Sequence, residues 1–366
     1  MNLKDLARTL GLSPTTVSRA LNGYPEVSAA TRTRVSEAAK AHNYRPNTQA
    51  KRLATGRAMA IGHVIPISTR HEIVNPIFAD FIAGAGEVYA RAGYDMLLTI
   101  APDDDEARAY REIRSKGNVD GIIVHGPKEA DPRIPLLTEL GLPFVVHGRA
   151  TGATLPYSWL DVNNARAFER ATEFLLDLGH RRIALVNGLE FMDFAIRRRR
   201  GYETALAARG IALDPALTTS GEMTEAQGAA AARAMRALPD PPTAFLTSSL
   251  LSAMGVRRVV EAAGLRIGRD VSIVTHDDDL GYLKNGDDEP IFTATRSSVR
   301  DAGRRAAKML LALIESPDAA PRSELLEAVL LVGQSTGPAP ALRADPTTLP
   351  SPTLPSASAP FSGEQG

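Results

Sequence analysis

Two sets of side chains in this sequence have the types and spacing to do recognition chemistry. The first is near the N-terminus, where Ser13-Pro14-Thr15-Thr16-Val17-Ser18-Arg19-Ala20-Leu21-Asn22 reads as one short helix. Val17, Ala20 and Leu21 form its apolar face, which turns Thr15, Thr16, Ser18, Arg19 and Asn22 elsewhere. Hydroxyls, an amide and a guanidinium exposed together suit phosphate oxygens and base edges. The second set lies in the body: His125, His147 and Arg149 after apolar runs, the Arg197–Arg200 run, and Thr275-His276-Asp277-Asp278. Carboxylates and guanidinium groups, each with several hydrogen-bonding positions, suit the vicinal hydroxyls of a sugar, and Phe78, Trp159 or Phe191 could stack on a pyranose face.

Catalysis finds little support. The sequence has no Cys, so thiolate chemistry, disulfides and Cys-based zinc sites are excluded. No dinucleotide fingerprint follows the first apolar run Ile61–Ser68, and no Gly-x-Ser-x-Gly nucleophile elbow is read from the sequence. Asp277, Asp278 and Asp279 are adjacent in one turn without spaced partners, a pattern for capping or binding hydroxyls rather than a metal. No enzyme activity, cofactor or metal is expected.

The elements that must position the first set are short helices. Asn2 caps a helix whose Leu3, Leu6, Ala7 and Leu10 share a face, and Gly11 ends it. Ser13 caps the next helix, which opens with Pro14. Two helices joined by a tight glycine turn, the second carrying the polar set, make a helix-turn-helix. A third helix starts at Ser28, turns Val35, Ala38 and Ala39 inward and ends at Asn43-Tyr44. Arg45-Pro46 leads into a run of about nine residues, Asn47–Thr55, which is too short to be a stable helix alone.

At this point the chain resembles the LacI-type (lactose/galactose/purine repressor) bacterial transcription factors. The resemblance is carried by Lys4-Asp5-Leu6-Ala7, Leu12-Ser13, Thr16-Val17-Ser18-Arg19-Ala20-Leu21-Asn22, Val27-Ser28, Thr31-Arg32, Val35, Asn43-Tyr44, Pro46-Asn47 and Arg52-Leu53. It implies a homodimer on a palindromic double-stranded DNA operator. Ser13, Pro14, Thr15, Thr16, Ser18, Arg19, Asn22 and Arg32 would be DNA contacts in the head, and Asn47, Gln49, Ala50 and Leu53 in the hinge. Leu53 would be the apolar wedge in the minor groove, and the hinge helix would form only when two copies pack on DNA.

From Ala58 onward the apolar runs alternate with helical patterns: strands at 121–124, 143–146, 183–186, 244–247 and 271–275, helices at 76–93, 164–178, 195–209, 225–237 and 251–263. Two such series predict two Rossmann-like lobes with parallel sheets, binding a ligand where strand carboxyl ends face a shared cleft. The resemblance implies the same two-lobed, periplasmic-binding-protein-like core. It also places Arg198 of Arg198-Arg-Arg-Gly201-Tyr202, and Asp277, at effector-contacting positions. His71, Phe78, His125, Arg149, Asn163, Phe191 and Ser249 complete the expected effector site. Ser249 stands where such proteins commonly have a ligand-contacting Asn, and Gln334 where they have a basic residue.

The expected organisation is therefore an all-α helix-turn-helix domain at 1–45, a hinge helix at 46–57, a two-lobed α/β core at 58–337 and a disordered tail at 338–366. That tail is rich in Pro, Ser, Ala and Thr without apolar period. Net charge is zero over 366 residues, yet residues 1–60 hold ten Lys/Arg against three acids. A basic head on an acidic body directs DNA to the head. No apolar run reaches the roughly 18 residues of a membrane span and no secretory apolar region is recognised, so a soluble cytoplasmic protein is expected. The effector expected is a small sugar; a purine or nucleoside is the alternative.

Overall fold

A computed structural model describes residues 1–21, 23–44, 56–66, 75–102 and 105–340. The helical head holds α1 (Leu3–Leu10), α2 (Pro14–Leu21) and α3 (Ala29–Ala41). The Asn2 side chain accepts from the Asp5 amide at 3.0 Å while Asp5 accepts from the Asn2 amide at 3.2 Å, a reciprocal cap that satisfies two otherwise orphaned donors. Gly11 takes φ 64°, the left-handed turn that aims α2 across α1. Leu6, Ala7, Val17, Ala20, Val27, Val35 and Ala39 form one small core. The hinge run, with Asn47, Gln49, Ala50 and Leu53, lies outside the described residues, as do Asn22 and His71.

The body alternates strands and helices: β1 (Ala60–Pro66), α4 (Pro76–Ala92), β2 (Asp95–Ala101), α5 (Glu106–Lys116), β3 (Gly121–His125), α6 (Arg133–Glu139), β4 (Phe144–His147) and β5 (Ser158–Val162). The second series is α7 (Asn164–Asp177), β6 (Ile183–Asn187), α8 (Asp193–Ala208), β7 (Thr218–Ser220), α9 (Glu225–Arg236), β8 (Ala244–Thr247), α10 (Leu250–Ala262), β9 (Ser272–Asp277) and β10 (Thr293–Arg296). It ends with α11 (Val299–Glu315), β11 (Ser323–Leu326) and β12 (Val329–Leu331).

Two six-stranded sheets result, in the orders β11-β5-β4-β3-β1-β2 and β12-β10-β9-β8-β6-β7. All pairings are parallel except β10 with β12. The central strands β3, β6, β8 and β9 are buried along their whole length, as expected of sheets covered on both faces. The chain passes between lobes three times, at β5→α7, β10→α11 and β11→β12. Only the first crossing is foreseen from the sequence, because the later ones follow short strands and a helix that returns to the first lobe. There α11 packs on α4 through Val299, Ala302, Ala306 and Leu310.

Glycines let the paired helices approach closely. A Cβ on Gly84 of α4 would sit 2.0 Å from the Arg300 carbonyl oxygen of α11, and one on Gly201 of α8 2.1 Å from the Ala165 carbonyl oxygen of α7. The end of the core corrects the expected start of the tail. Ala339, assigned to the tail by composition, is buried, and its N–H donates to the Leu178 carbonyl at 2.8 Å.

Candidate functional site

Between the lobes lies a cavity of about 370 Å³. Its first-lobe wall comes from the N-terminus of α4, the ends of β3, β4 and β5, and the start of α11; its second-lobe wall comes from α8, residues 221–225 and the end of β9. It therefore lies where the strand carboxyl ends of the two sheets face each other.

Arg198 is the best-fixed charged group in it. Phe168 and Phe194 flank its guanidinium at 5.0 and 4.9 Å, Nε donates to the Asn164 side-chain oxygen at 2.8 Å, and Nη1 donates to the Ser248 carbonyl at 2.7 Å. Burial lowers its pKa to about 10, so it stays charged at neutral pH. Asp278 also lines the cavity, and among the described residues its carboxylate faces the His276 ring nitrogen just beyond hydrogen-bond distance. Burial raises its pKa to about 7, against the opposing pull of Arg198. The neighbouring His276 ring, 3.6 Å from Asp278, is driven well below its ordinary range by burial and Arg198, so it stays neutral.

The first-lobe wall is aromatic. His147 stacks on Phe81 with centroids 4.3 Å apart, while Phe78 and Phe81 present edges to His125 at 5.0 and 4.9 Å. Burial takes His147 down to about 4 and His125 well below its usual value. This wall offers neutral imidazoles and apolar faces.

Of the expected effector residues, the structure brings Phe78, His125 and Arg198 to the cavity. Arg149, Asn163, Phe191, Ser249 and Asp277 do not line it, and each has a physical reason. Asp277 and Asp278 follow one another on an extended strand end, so their side chains leave on opposite faces. The inward face carries His276 and Asp278, whereas Asp277 accepts from the Asp279 amide at 2.9 Å and faces Arg296 at 3.7 Å. Asn163 caps α7, accepting from the Arg166 amide at 3.3 Å, and its amide donates to Glu327 at 2.7 Å; the next residue, Asn164, reaches the cavity. Ser249 caps α10 and accepts from the Ser252 amide at 3.2 Å. Phe191 is 52% exposed, and Met192 and Phe194 line the cavity instead. Arg149 donates to Asp161 at 2.9 Å and lies over Trp159, the proposed stacking residue, which also stays outside the cavity. His147, singled out in the sequence beside His125, also lines the cavity as its partner across β3 and β4, and Phe81 is a lining residue not singled out from the sequence.

Around this cavity the lobes are clasped. Asp193 of α8 accepts from Thr151 Oγ1 at 2.8 Å and from the Thr151 amide at 3.2 Å, and Arg197 binds both Asp161 and Asp193. On the other flank Asp80 of α4 pairs with Arg300 at 3.0 Å and accepts from the Gly281 amide.

One short stretch corrects the sequence reading. Gly333-Gln334-Ser335-Thr336-Gly337 has the letter spacing of a nucleophile elbow, yet Ser335 sits in a turn after β12 and no helix begins at it. Ser335 is buried, accepts from the Thr293 amide at 2.9 Å and donates to the Ile273 carbonyl, which makes it a strut between strands. Among the described residues no three His, Cys, Asp or Glu are grouped to hold a metal, and no helix is long and apolar enough to cross a membrane.

In the head, Ser13 Oγ accepts from the Thr16 amide at 3.0 Å and contacts Thr16 Oγ1 at 2.8 Å, fixing the start of α2. Pro14, Thr15 and Arg19 are exposed, while Thr16 and Ser18 are half-buried. Arg32 Nη1 donates to the Gly23 carbonyl at 3.3 Å, which ties α3 to the turn after α2.

Comparison with known proteins places both halves. Residues 2–47 match the family described as bacterial regulatory proteins, lacI family, and residues 172–336 match a periplasmic binding protein-like domain. The HTH-type transcriptional regulator AglR of Rhizobium meliloti (strain 1021) is 46% identical over 354 residues, covering 96% of this chain and 98% of that protein. The HTH-type transcriptional regulator RafR of Escherichia coli is 35% identical over 319 residues, covering 86% and 92%. A solved complex of the transcriptional regulator CelR with cellobiose is 29% identical and superposes with a TM-score of 0.68 over 92% of this chain and 99% of that one. A lac repressor dimer bound to operator, 23% identical over 92% of this chain and 99% of that one, shares the fold with a TM-score of 0.77. A helix-turn-helix head followed by a two-lobed core, shared over nearly the whole length with such regulators, leads to one conclusion: the chain belongs to the lacI family of bacterial regulatory proteins and is a transcriptional regulator rather than an enzyme.

Proposed function

We propose that this regulator is a cytoplasmic repressor that binds a palindromic operator as a homodimer, and that an uncharged sugar held between the lobes sets its affinity for DNA. The carrying observation is the pair Arg198 and Asp278, a cavity-facing donor held by its neighbours and a cavity-facing acceptor with the neutral His276 ring 3.6 Å away. Ligand hydroxyls can donate to the carboxylate and accept from the guanidinium at the same time.

Charge supports an uncharged ligand near β9: Asp161 is paired with Arg149 and Arg197 and Glu225 with Arg258, while a phosphate or uronate placed at Asp278 would meet a carboxylate. Phe81 already faces His147 and Phe194 already faces Arg198, so one face of each ring is occupied before a ligand enters. The relative solved with cellobiose accommodates a sugar in the same fold.

In the head, Ser13, Pro14, Thr15, Thr16, Ser18, Arg19, Asn22 and Arg32 would meet operator phosphates and bases, and Asn47, Gln49, Ala50 and Leu53 the minor groove. The dimer reading draws support from exposed apolar side chains of the body: Leu98 and Ile100 of β2, Met254 of α10, and Tyr282 and Ile291 beyond β9. Residues 1–45 would read DNA, 46–57 would couple, and 58–337 would bind the effector and dimerise.

The test is a thermal-shift screen of the full chain against neutral sugars, sugar phosphates and nucleosides, followed by operator binding with each hit. A ligand of the native state at 100-fold over Kd adds about 2.7 kcal/mol to stability. A neutral-sugar hit that changes operator affinity supports the reading; stabilisation by nucleosides alone overturns it.

A further inference from the structure

A buried chain of three side chains sets the hydrogen-bonding sense of the cavity's first-lobe wall. The phenol of Tyr89 on α4 lies 3.4 Å from Nε2 of His63, in the middle of β1, and His63 Nδ1 lies 2.9 Å from Nε2 of His125 at the end of β3. Tyr89 and His63 are sealed from solvent, at 1% and 0% exposure. His125 lines the cavity, and its Nδ1 has no partner among the described residues while not being sealed off.

Each neutral imidazole carries one proton, so the chain can run in two senses. In the first, Tyr89 donates to His63 Nε2, His63 donates from Nδ1 to His125 Nε2, and the proton of His125 sits on Nδ1. Every buried group is then satisfied, and the one unspent N–H points to the cavity. In the second, His125 donates from Nε2 to His63, and His63 donates from Nε2 to the phenol oxygen. The Tyr89 hydroxyl hydrogen is then a buried donor with no acceptor among the described residues, at a cost of roughly 1–3 kcal/mol.

We infer that Tyr89 and His63 are positioning residues that lock His125 as an Nδ1–H donor to the effector, so the first lobe selects an oxygen acceptor at that point. The inference rests on the cavity being the effector site and adds which atom the first lobe offers. A ring oxygen, glycosidic oxygen or hydroxyl lone pair fits there; an ammonium or amide N–H does not. The second lobe makes the opposite demand, because Asp278 accepts. A bound ligand is thus oriented, with a donor toward β9 and an acceptor toward β3. Burial holds His63 at about 3 and His125 well below the usual imidazole range, so both rings stay neutral and the sense persists across ordinary pH.

Magic-angle-spinning NMR of the full chain, labelled with ¹⁵N and ¹³C in histidine, reads each tautomer without any ligand. The variant His125→Gln identifies the His125 signals by their loss. The expected result at pH 7 is His125 as the Nδ1–H tautomer, with a shift toward mixed or Nε2–H signals in Tyr89→Phe. An Nε2–H tautomer in the native protein would overturn the inference, as would an unchanged tautomer in a folded Tyr89→Phe. Neither result depends on whether the effector is a sugar, so this failure and that of the sugar reading are distinguishable. Should Tyr89→Phe fail to fold, the tautomer of the native protein decides alone.

Discussion

Asn164 holds Arg198 by its Nε at 2.8 Å while the Asn164 amide group donates to the Val162 carbonyl at 2.9 Å. The first residue of the helix entered at the first lobe crossing thus braces the effector-facing arginine of α8. One residue along α8, Arg197 joins Asp161 and Asp193 in the clasp between lobes. The cavity-facing arginine and the lobe clasp are one residue apart on the same helix, so under the proposed function a ligand held by Arg198 would act directly on the clasp.

Replacing Arg198 with Met keeps much of the stem and removes the donors. Hydrogen bonds to a charged group contribute about 1.5–3 kcal/mol, so effector affinity is expected to fall roughly 10- to 150-fold. Operator binding without effector should stay within about two-fold, since the head is untouched. Calorimetric titration with the hit sugar and a gel-shift assay check both, and a parallel loss of operator binding would assign Arg198 a purely structural role.

Asp278 should make effector binding depend on pH. Its pKa is raised to about 7 from 3.8 by burial, partly opposed by Arg198, with His276 neutral beside it. Between about pH 4 and 7 the folded chain keeps a proton that the unfolded chain has lost, so this group's contribution lowers stability as pH rises and levels off above 7. Ligand hydroxyls favour the ionised form, so affinity should rise through pH 7, with proton release on binding below it. Titration in buffers of different ionisation enthalpy reads the release. Asp278→Asn should abolish it, and a persistent release in that variant would place the proton elsewhere.

Gly201→Ala should strain the α7–α8 contact, where the added methyl meets the Ala165 carbonyl oxygen at 2.1 Å. Overpacking of this kind costs about 1–3 kcal/mol or more. Differential scanning calorimetry should show the body transition lowered, and an unchanged Tm would mean that the two helices part freely.

Two head variants separate positioning from deformation of DNA. Arg19→Ala should weaken operator binding, and if it holds a phosphate the salt slope should fall by about one counterion. Leu53→Ala should weaken binding by on the order of a few kcal/mol if the wedge kinks the operator, leaving effector binding intact. Equal operator affinity of Leu53→Ala and the native protein would remove the wedge.

Much of the architecture was legible because it depends on local rules. Asn2 with Asp5, Gly11 and Ser13 announce the head by capping and turn chemistry, and the alternating apolar runs announce the two parallel sheets. At two positions the cavity lining stands one residue from the expectation. Asn163 and Asp277 stand beside the residues that line the cavity, Asn164 and Asp278, because a motif fixes a neighbourhood while strand alternation and helix capping decide which side chain turns inward. The second and third crossings escaped notice for a different reason. β11 and β12 are four and three residues long, and their partners are more than 30 residues away in sequence, so periodicity carries no trace of them.

The threefold connection between the lobes also limits what an effector can do. A single tether would let the lobes twist, slide or drift apart, each motion spending part of the ligand's influence. Three strands of chain crossing side by side act like pins in one door frame and leave a single swing as the cheap motion. The segment arriving from the head enters the first lobe as β1, between β2 and β3 rather than at an edge. Under the proposed function, whatever angle the door takes is therefore imposed on the first strand to follow the head along the chain, which would let a ligand of modest size govern a contact far from itself.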